Sequence, residues 1–306
     1  MTKLLNAAQV AAAVRFHQTR PELAASIPKD FPGRAAGYAT AEFAQAVAEF
    51  QAAHGLFVDG KAGAQETIPA LRNAYLPQPS GASDVLVFAG EEHTIPGVRI
   101  VNTRSPEGYD FSRYPGHVHD GVLPSPPALV IHDSITRTTD ACFKVLLTRK
   151  DAKTGKNMGL GTGLMLSPSG TLYQCVPDLN RVTWHAGSGW NTQAIGLDVI
   201  ALLDPSLAPR APNRRPPTSW APQGYLDYTP EQIVVLPKVI RGICDARGIP
   251  FDCPRDHPNG SPACRGANRA LVLDPKTYRG VVAHGQLSTS RWDGNRALEI
   301  VFGRAL

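Results

Sequence analysis

The sequence is short of sulfur, of long apolar runs and of concentrated charge, and each shortage closes off a class of protein. Five cysteines are too few, and odd in number, for a disulfide framework, and no CxxC pair suggests a thiolate zinc site. Cys253 and Cys264 flank a Pro/Gly-rich loop and could pair in an oxidising compartment, whereas Cys142 and Cys244 fall in helical patterns and read as core. No apolar run approaches the ~20 residues that cross a bilayer, so membrane insertion is not expected. The N-terminus passes from Met1 straight into an alanine-rich pattern broken by Arg15 and His17, without the apolar region and cleavage site of a signal peptide. The chain is therefore expected to be made in the cytoplasm. A net charge of +5 and a pI near 9.0 are only mildly basic. No run of lysine and arginine interleaved with aromatics marks a nucleic-acid surface, so no nucleic-acid partner is expected. The mild positive charge does suit an anionic polymer.

What is present divides into two parts, as the length of 306 residues suggests. Residues 1–76 read as a small all-α domain of three helices. Asn6 caps the first, from Ala7, and a Pro/Gly-rich loop follows from Pro21 to Gly37. Thr40 opens the second, whose Phe43, Val47 and Phe50 recur at i, i+4 and i+7. The turn Phe57–Gly63 leads to a third short helix ending near Leu71. The stretch Glu49 to Leu71 resembles the peptidoglycan-binding domain found on many cell-wall hydrolases. The matching residues are Phe50-Gln51, Gly55-Leu56, Val58-Asp59-Gly60, Gly63, Thr67 and Leu71. Residues 77–84, rich in proline, glycine and serine, form a linker.

Residues 85–306 alternate strand and helix signals and form the second domain. Leu129-Val130-Ile131 is a core strand expected to end at His132-Asp133-Ser134, and Thr138 to Asp140 cap a helix reaching Thr148. Gly170 to Val176 and Ala194 to Ala201 are apolar strands, the second broken only by the carboxylate of Asp198. A buried lone carboxylate is costly without a partner. Between these strands lies Trp184-His185-Ala186-Gly187-Ser188-Gly189-Trp190-Asn191, a loop rich in glycine, aromatics and hydrogen-bonding groups, as binding loops are. A proline-rich insertion from Asp204 to Gln223 reads as an exposed loop. Thr229-Pro230-Glu231-Gln232 starts a helix that Pro237 is expected to kink before Gly248 ends it. A second irregular insertion spans 250–277, and Gly280 to Ala283 form a strand ending at His284. Two imidazoles closing apolar strands, with Asp293 beyond the second, make a common zinc set with one open position, although residues so far apart are a weak signal by spacing alone.

From Leu129 to Gly294 the chain resembles the type 2 N-acetylmuramoyl-L-alanine amidases, a family that includes phage lysozyme-like amidases and peptidoglycan recognition proteins. The resemblance rests on Val130-Ile131-His132, Gly170-Thr171-Leu172-Tyr173-Gln174, Trp184-His185-Ala186-Gly187, Ile195-Gly196-Leu197-Asp198, the Thr229 helix start, and His284 with Asp293. It implies an α/β fold, a mixed central β-sheet flanked by helices, behind the small N-terminal helical domain. It also implies zinc as cofactor on His132, His284 and Asp293. Asp198 stands where the family carries a glutamate that shuttles the proton of the attacking water. Arg291 stands where many members have a lysine that steadies the oxyanion. Thr162 falls near the position where some members have a tyrosine. Trp184, His185 and Asn191 are implied substrate contacts. The implied reaction hydrolyses the amide between N-acetylmuramic acid and L-alanine of bacterial peptidoglycan. Alternatives are a non-catalytic recognition protein and a zinc peptidase cutting within the stem peptide. A monomer is expected, released to the periplasm or wall with a holin if phage-encoded. The wall-binding module favours a phage lysin.

Overall fold

Local signals set the helix ends. The computed structural model describes residues 4–303 apart from 28–30, 54–55, 64–66, 69–70, 72–83, 188, 209–210, 212, 257–259 and 266–269. Helix α1 (Ala7–Gln18) opens with a capping box in which Asn6 and Gln9 satisfy each other's backbone amides. Helix α2 (Ala41–Ala53) starts where the Thr40 hydroxyl accepts from Phe43 N at 3.1 Å. Phe43, Val47 and Phe50 pack with Phe31, Ile68 and Leu71 into a core of their own. Beside it the buried Gln51 amide organises the following turn. Its Nε2 donates to Asp59 Oδ1, Lys61 O and Thr67 Oγ1, and its Oε1 accepts from the amides of Asp59 and Gly60. Gly60 is left-handed (φ +69°), and a Cβ there would meet Leu5 and the Ala44 carbonyl. The buried His17 imidazole accepts from Ala62 N at 3.0 Å, and burial lowers its pKa to about 4. Of the expected third helix only residues 67–68 and 71 are described, all helical, and of the 77–84 linker only Asp84.

The larger part is built on a six-stranded sheet: β1 (Ile100–Val101), β2 (Ala128–Ile135), β3 (Leu164–Leu166), β4 (Leu172–Gln174), β5 (Ala194–Ala201) and β6 (Val281–Ala283). The spatial order is β6-β2-β5-β3-β4-β1, with only the β3–β4 pair antiparallel. This is the mixed α/β sheet expected. β2 and β5 are buried nearly throughout, as strands covered on both faces must be, which is why they read as continuous apolar runs. Alternation then sorts their side chains. Leu129, Ile131, Ile195, Leu197 and Val199 join the main core, with Leu236, Val239, Ile240 and Leu298. Ala128, Val130, Ala194 and Val282 form a thinner layer under Ala186 and Trp190.

Helix α3 (Thr139–Thr148) is capped by Thr138. Helix α4 (Pro230–Arg247) begins with a Thr229/Gln232 capping box and ends at left-handed Gly248. It is bolted to the sheet at its start: Thr229 Oγ1 donates to Pro168 O, and Gln232 Nε2 donates to the carbonyls of Leu166 and Ile200. The helix runs through Pro237 as one 18-residue element. The last helix is α5 (Asn295–Phe302).

The proline-rich insertion departs from its expectation as an exposed loop. Trp220, Ala221 and Tyr225 are buried, and Arg214–Arg215 pairs with Tyr225–Leu226 as a short hairpin. Trp220 Nε1 donates to Glu299 Oε1 at 2.8 Å on α5, and buried Asp227 takes Arg215 and Arg296. The large apolar area of one tryptophan and one tyrosine outweighs the polar composition around them. Cys253 and Cys264 are free thiols, and burial pushes the Cys253 pKa up to about 12. Among the described residues no helix is long and apolar enough to cross a membrane.

Candidate metal and catalytic site

Strand register brings the first three side chains together. His132 on β2 is the Cα partner of Asp198 on β5, and Ile131 is the partner of Ala283, so His284 follows level with His132. In parallel strands partnered residues share a face, the thinner one here. β2 does not end at His132 but continues to Ile135. The rim lies instead on the β6 side, where the strand stops at Ala283 and His284 begins a single helical turn, His284–Leu287.

Asp293 reaches this row because its loop is fastened on both sides. Its carbonyl accepts from Gly285 N at 2.8 Å, and the next amide, Gly294 N, donates to Asp133 Oδ2 at 2.5 Å. Asp133 also accepts from the Tyr228 hydroxyl. Gly294 is left-handed (φ +83°), and a Cβ there would be driven into the Ile131 carbonyl, so the loop can lie flat on β2 only with glycine. Asp133 and Tyr228 had no assigned role in the sequence. An acid directly after a strand histidine was the available signal, but its partners lie far along the chain.

His132 Nδ1 lies 3.1 Å from His284 Nδ1, and Asp293 Oδ2 lies 3.1 Å from His284 Nδ1 and 3.5 Å from His132 Nδ1. Three acceptor atoms this close repel unless a proton or a cation sits among them. A tetrahedral ion with ligand distances of about 2.1 Å spaces its ligand atoms about 3.4 Å apart, close to these three edges, so the set fits zinc. Among the described residues this is the one group of histidines, cysteines and carboxylates that could hold a metal ion. The electrostatics agree. Burial alone would raise the Asp293 carboxyl, but the His132 and His284 imidazoles beside it hold it well below the usual range. Burial pulls the His132 pKa down, yet Asp293 and the charges of Asp198 and Asp133 leave it raised. Burial keeps His284 lowered despite Asp293, and the charges of His132 and Arg291 add to this.

Asp198 is buried in the same row. Burial raises its pKa, and His132 and a hydrogen bond from Thr162 oppose the rise. A carboxyl moved up toward neutrality can both take and return a proton. Arg291 is half-buried and its charge is felt at His284, so it too belongs to this neighbourhood.

The Trp184 loop closes the thinner face. Asn191 Oδ1 accepts from the amides of His185 and Ala186, at 3.0 and 2.8 Å, and so shapes the loop from within. His185 sits between β5 and His132: its Nε2 is 3.1 Å from Ala194 O and its Nδ1 is 3.0 Å from His132 Nε2. Burial, then the charge of His132, lowers its pKa well below the ordinary value, so the ring is neutral. Trp184 is 44% exposed, and its indole stacks on His119 at 4.1 Å with the planes 12° apart. His119 lies on the strand Val118–Val122, paired with Arg181–Thr183, and nothing local in the sequence singles it out.

Residues 123–293 match the family model described as N-acetylmuramoyl-L-alanine amidase, more than half of the chain, and residues 26–67 match the model of a putative peptidoglycan binding domain. Among solved structures, Drosophila PGRP-LB is 16% identical, over 60% of this chain and 83% of that one, with a TM-score of 0.32. The endolysin N-acetylmuramoyl-L-alanine amidase LysCS from Clostridium intestinale is 14% identical, over 60% of this chain and 91% of that one, with a TM-score of 0.33. The Staphylococcus aureus hydrolase AmiA is 10% identical, over 68% and 82% of the two chains, with a TM-score of 0.33. No curated protein matches the chain.

Proposed function

The chain belongs to the N-acetylmuramoyl-L-alanine amidase family, and on that premise we propose that it is a zinc-dependent peptidoglycan hydrolase. Its substrate bond is the amide between the lactyl group of N-acetylmuramic acid and L-alanine of the stem peptide. The observation that carries this reading is the triangle of His132, His284 and Asp293 beside the buried Asp198 carboxyl.

His132 Nδ1, His284 Nδ1 and Asp293 Oδ2 would hold the ion. Bound there, zinc supplies Lewis-acid activation of water and of the scissile carbonyl. The chain's own groups do the rest. Asp198 takes a proton from the attacking water as the water oxygen bonds to the carbonyl carbon. The Arg291 guanidinium faces the negative charge that gathers on the carbonyl oxygen. Asp198 then returns the proton to the alanine nitrogen as the C–N bond breaks, leaving a lactyl carboxylic acid and a free amine, which at neutral pH ionise to carboxylate and ammonium. The exposed Trp184 ring, backed by His119, offers an apolar wall to the substrate. His185 and Asn191 shape that wall from beneath.

Residues 1–76 serve as the wall-binding module, joined through 77–84 to the catalytic domain, 85–306. The module matches a peptidoglycan-binding family over 26–67. Tethering raises the local concentration of cleavable bonds without any new contact at the site. This pairing favours a lysin that acts on intact wall as a monomer after release from the cytoplasm. Mass spectrometry of digested peptidoglycan tests the reaction. Free stem peptides beginning with L-alanine, absent after chelation of the metal, are expected. Products that keep L-alanine on the lactyl group would mark a peptidase, and no products would mark a recognition protein.

A further inference from the structure

His185 is the most conspicuous histidine of the sequence and stands outside the triangle, yet it touches one of its corners. Its Nε2 lies 3.1 Å from Ala194 O, and a carbonyl oxygen can only accept, so Nε2 carries the hydrogen. The ring nitrogens meet a carbonyl and an imidazole rather than a carboxylate, so nothing at this buried place favours a second proton. Its Nδ1 is therefore a bare acceptor. The facing atom, His132 Nε2 at 3.0 Å, must then be the donor. With its hydrogen on Nε2, His132 presents Nδ1 as a lone pair, and Nδ1 is the atom aimed at His284 and Asp293.

We propose that His185 is a positioning residue that fixes the tautomer and tilt of His132, through a relay running from the Ala194 carbonyl through two imidazoles to the metal position. Metal-binding histidines usually donate their second N–H to a carboxylate, a carbonyl or water. Here the acceptor is another imidazole, itself fixed by backbone. Two further features hold that ring. Gly196 on β5 leaves room for it: a Cβ there would lie 2.7 Å from His185 Cγ and 2.9 Å from Nδ1. Asn191 pins the backbone amide of His185 from the other side. The glycine and the asparagine of the loop thus act on the metal position without reaching it.

The inference rests on His132 as a metal ligand, and the test separates the two. In His185→Phe the ring shape stays and both nitrogens go. Competition against a chelator should show zinc affinity weakened about 10–100-fold, the usual loss when such an outer partner is removed. His185→Asn, whose carbonyl oxygen stands near the Nδ1 position, should recover most of it, and Gly196→Ala should weaken zinc as His185→Phe does. Long-range nitrogen–proton NMR of the unaltered, zinc-loaded protein needs no variant to fold. It should show hydrogen on Nε2 of both His132 and His185. Hydrogen on His185 Nδ1, or unchanged zinc affinity in His185→Phe, would overturn the relay alone. An unaltered protein that takes up no zinc would instead overturn the metal site on which it depends.

Discussion

Two buried polar centres stand in opposite conditions. In the N-terminal module, the neutral Gln51 amide is answered in full by the chain, which supplies two amides to its oxygen and three acceptors to its nitrogen. In the sheet domain, His132, His284 and Asp293 direct three acceptor atoms at one another within 3.5 Å. The first centre is complete and holds a turn in place. In the second, a proton or a cation has to sit among the three atoms. A buried polar group that the chain satisfies marks architecture, and one that the chain leaves charged and convergent marks a ligand site.

The largest expected effects come from breaking the second centre. His284→Ala should abolish stoichiometric zinc uptake and lower hydrolysis by about a thousandfold or more, the several kcal/mol of charge stabilisation a Lewis acid contributes. Metal analysis with a peptidoglycan digestion assay checks it, and wall binding should survive. Asp198→Asn should keep zinc and lose hydrolysis by about 10²–10⁴, the scale of one general base. Full activity in that variant would place the base elsewhere.

Breaking the first centre should give the reverse pattern. Gln51→Leu leaves the amides of Asp59 and Gly60 without their acceptor, at about 1–3 kcal/mol for each orphaned group. The unfolding transition of the module should fall and binding to insoluble wall weaken, while zinc affinity holds. Loss of zinc together with wall binding would erase the contrast. His17 gives a smaller, pH-dependent effect. Its folded pKa of about 4 lies below the ordinary 6.5, so on acidification the unfolded chain binds a proton that the folded one refuses. Module stability should be level above pH 6.5 and decline as pH falls to about 4, which thermal unfolding across that range reads. A flat profile would mean the ring is not neutral and buried. Arg291→Lys should matter least, within about tenfold in rate, because a positive charge remains and only the planar fork is lost.

How far the sequence carried depended on the distance over which each feature is decided. Asn6 and Thr229 announce helix starts because a cap and its partner lie three residues apart. Ala128 to Ile131 and Ala194 to Ala201 announce buried strands by composition alone. The extension of β2 past His132 could not be read, because Asp133 is a polar residue buried by partners far along the chain, Tyr228 and Gly294. Trp220 hid in a proline-rich stretch, which turns inward through contacts far along the chain, Glu299 and Trp292 among them. His185 was legible as a site residue, while the hydrogen bonds that hold its ring come from β2 and β5 together and could not be read locally.

The separation of the two histidines in the chain has a further consequence. His132 and His284 are 152 residues apart, and β6, which delivers the second, is an edge strand paired in the sheet with β2 alone. An ion gripping both would act as a reversible staple across the domain, closing a long loop as a disulfide does but on terms set by concentration. At a hundredfold excess over its dissociation constant such an ion adds about 2.7 kcal/mol of stability. The melting temperature of the domain would then serve as a gauge of free metal, and its C-terminal edge would be the first part to loosen when the metal is withdrawn.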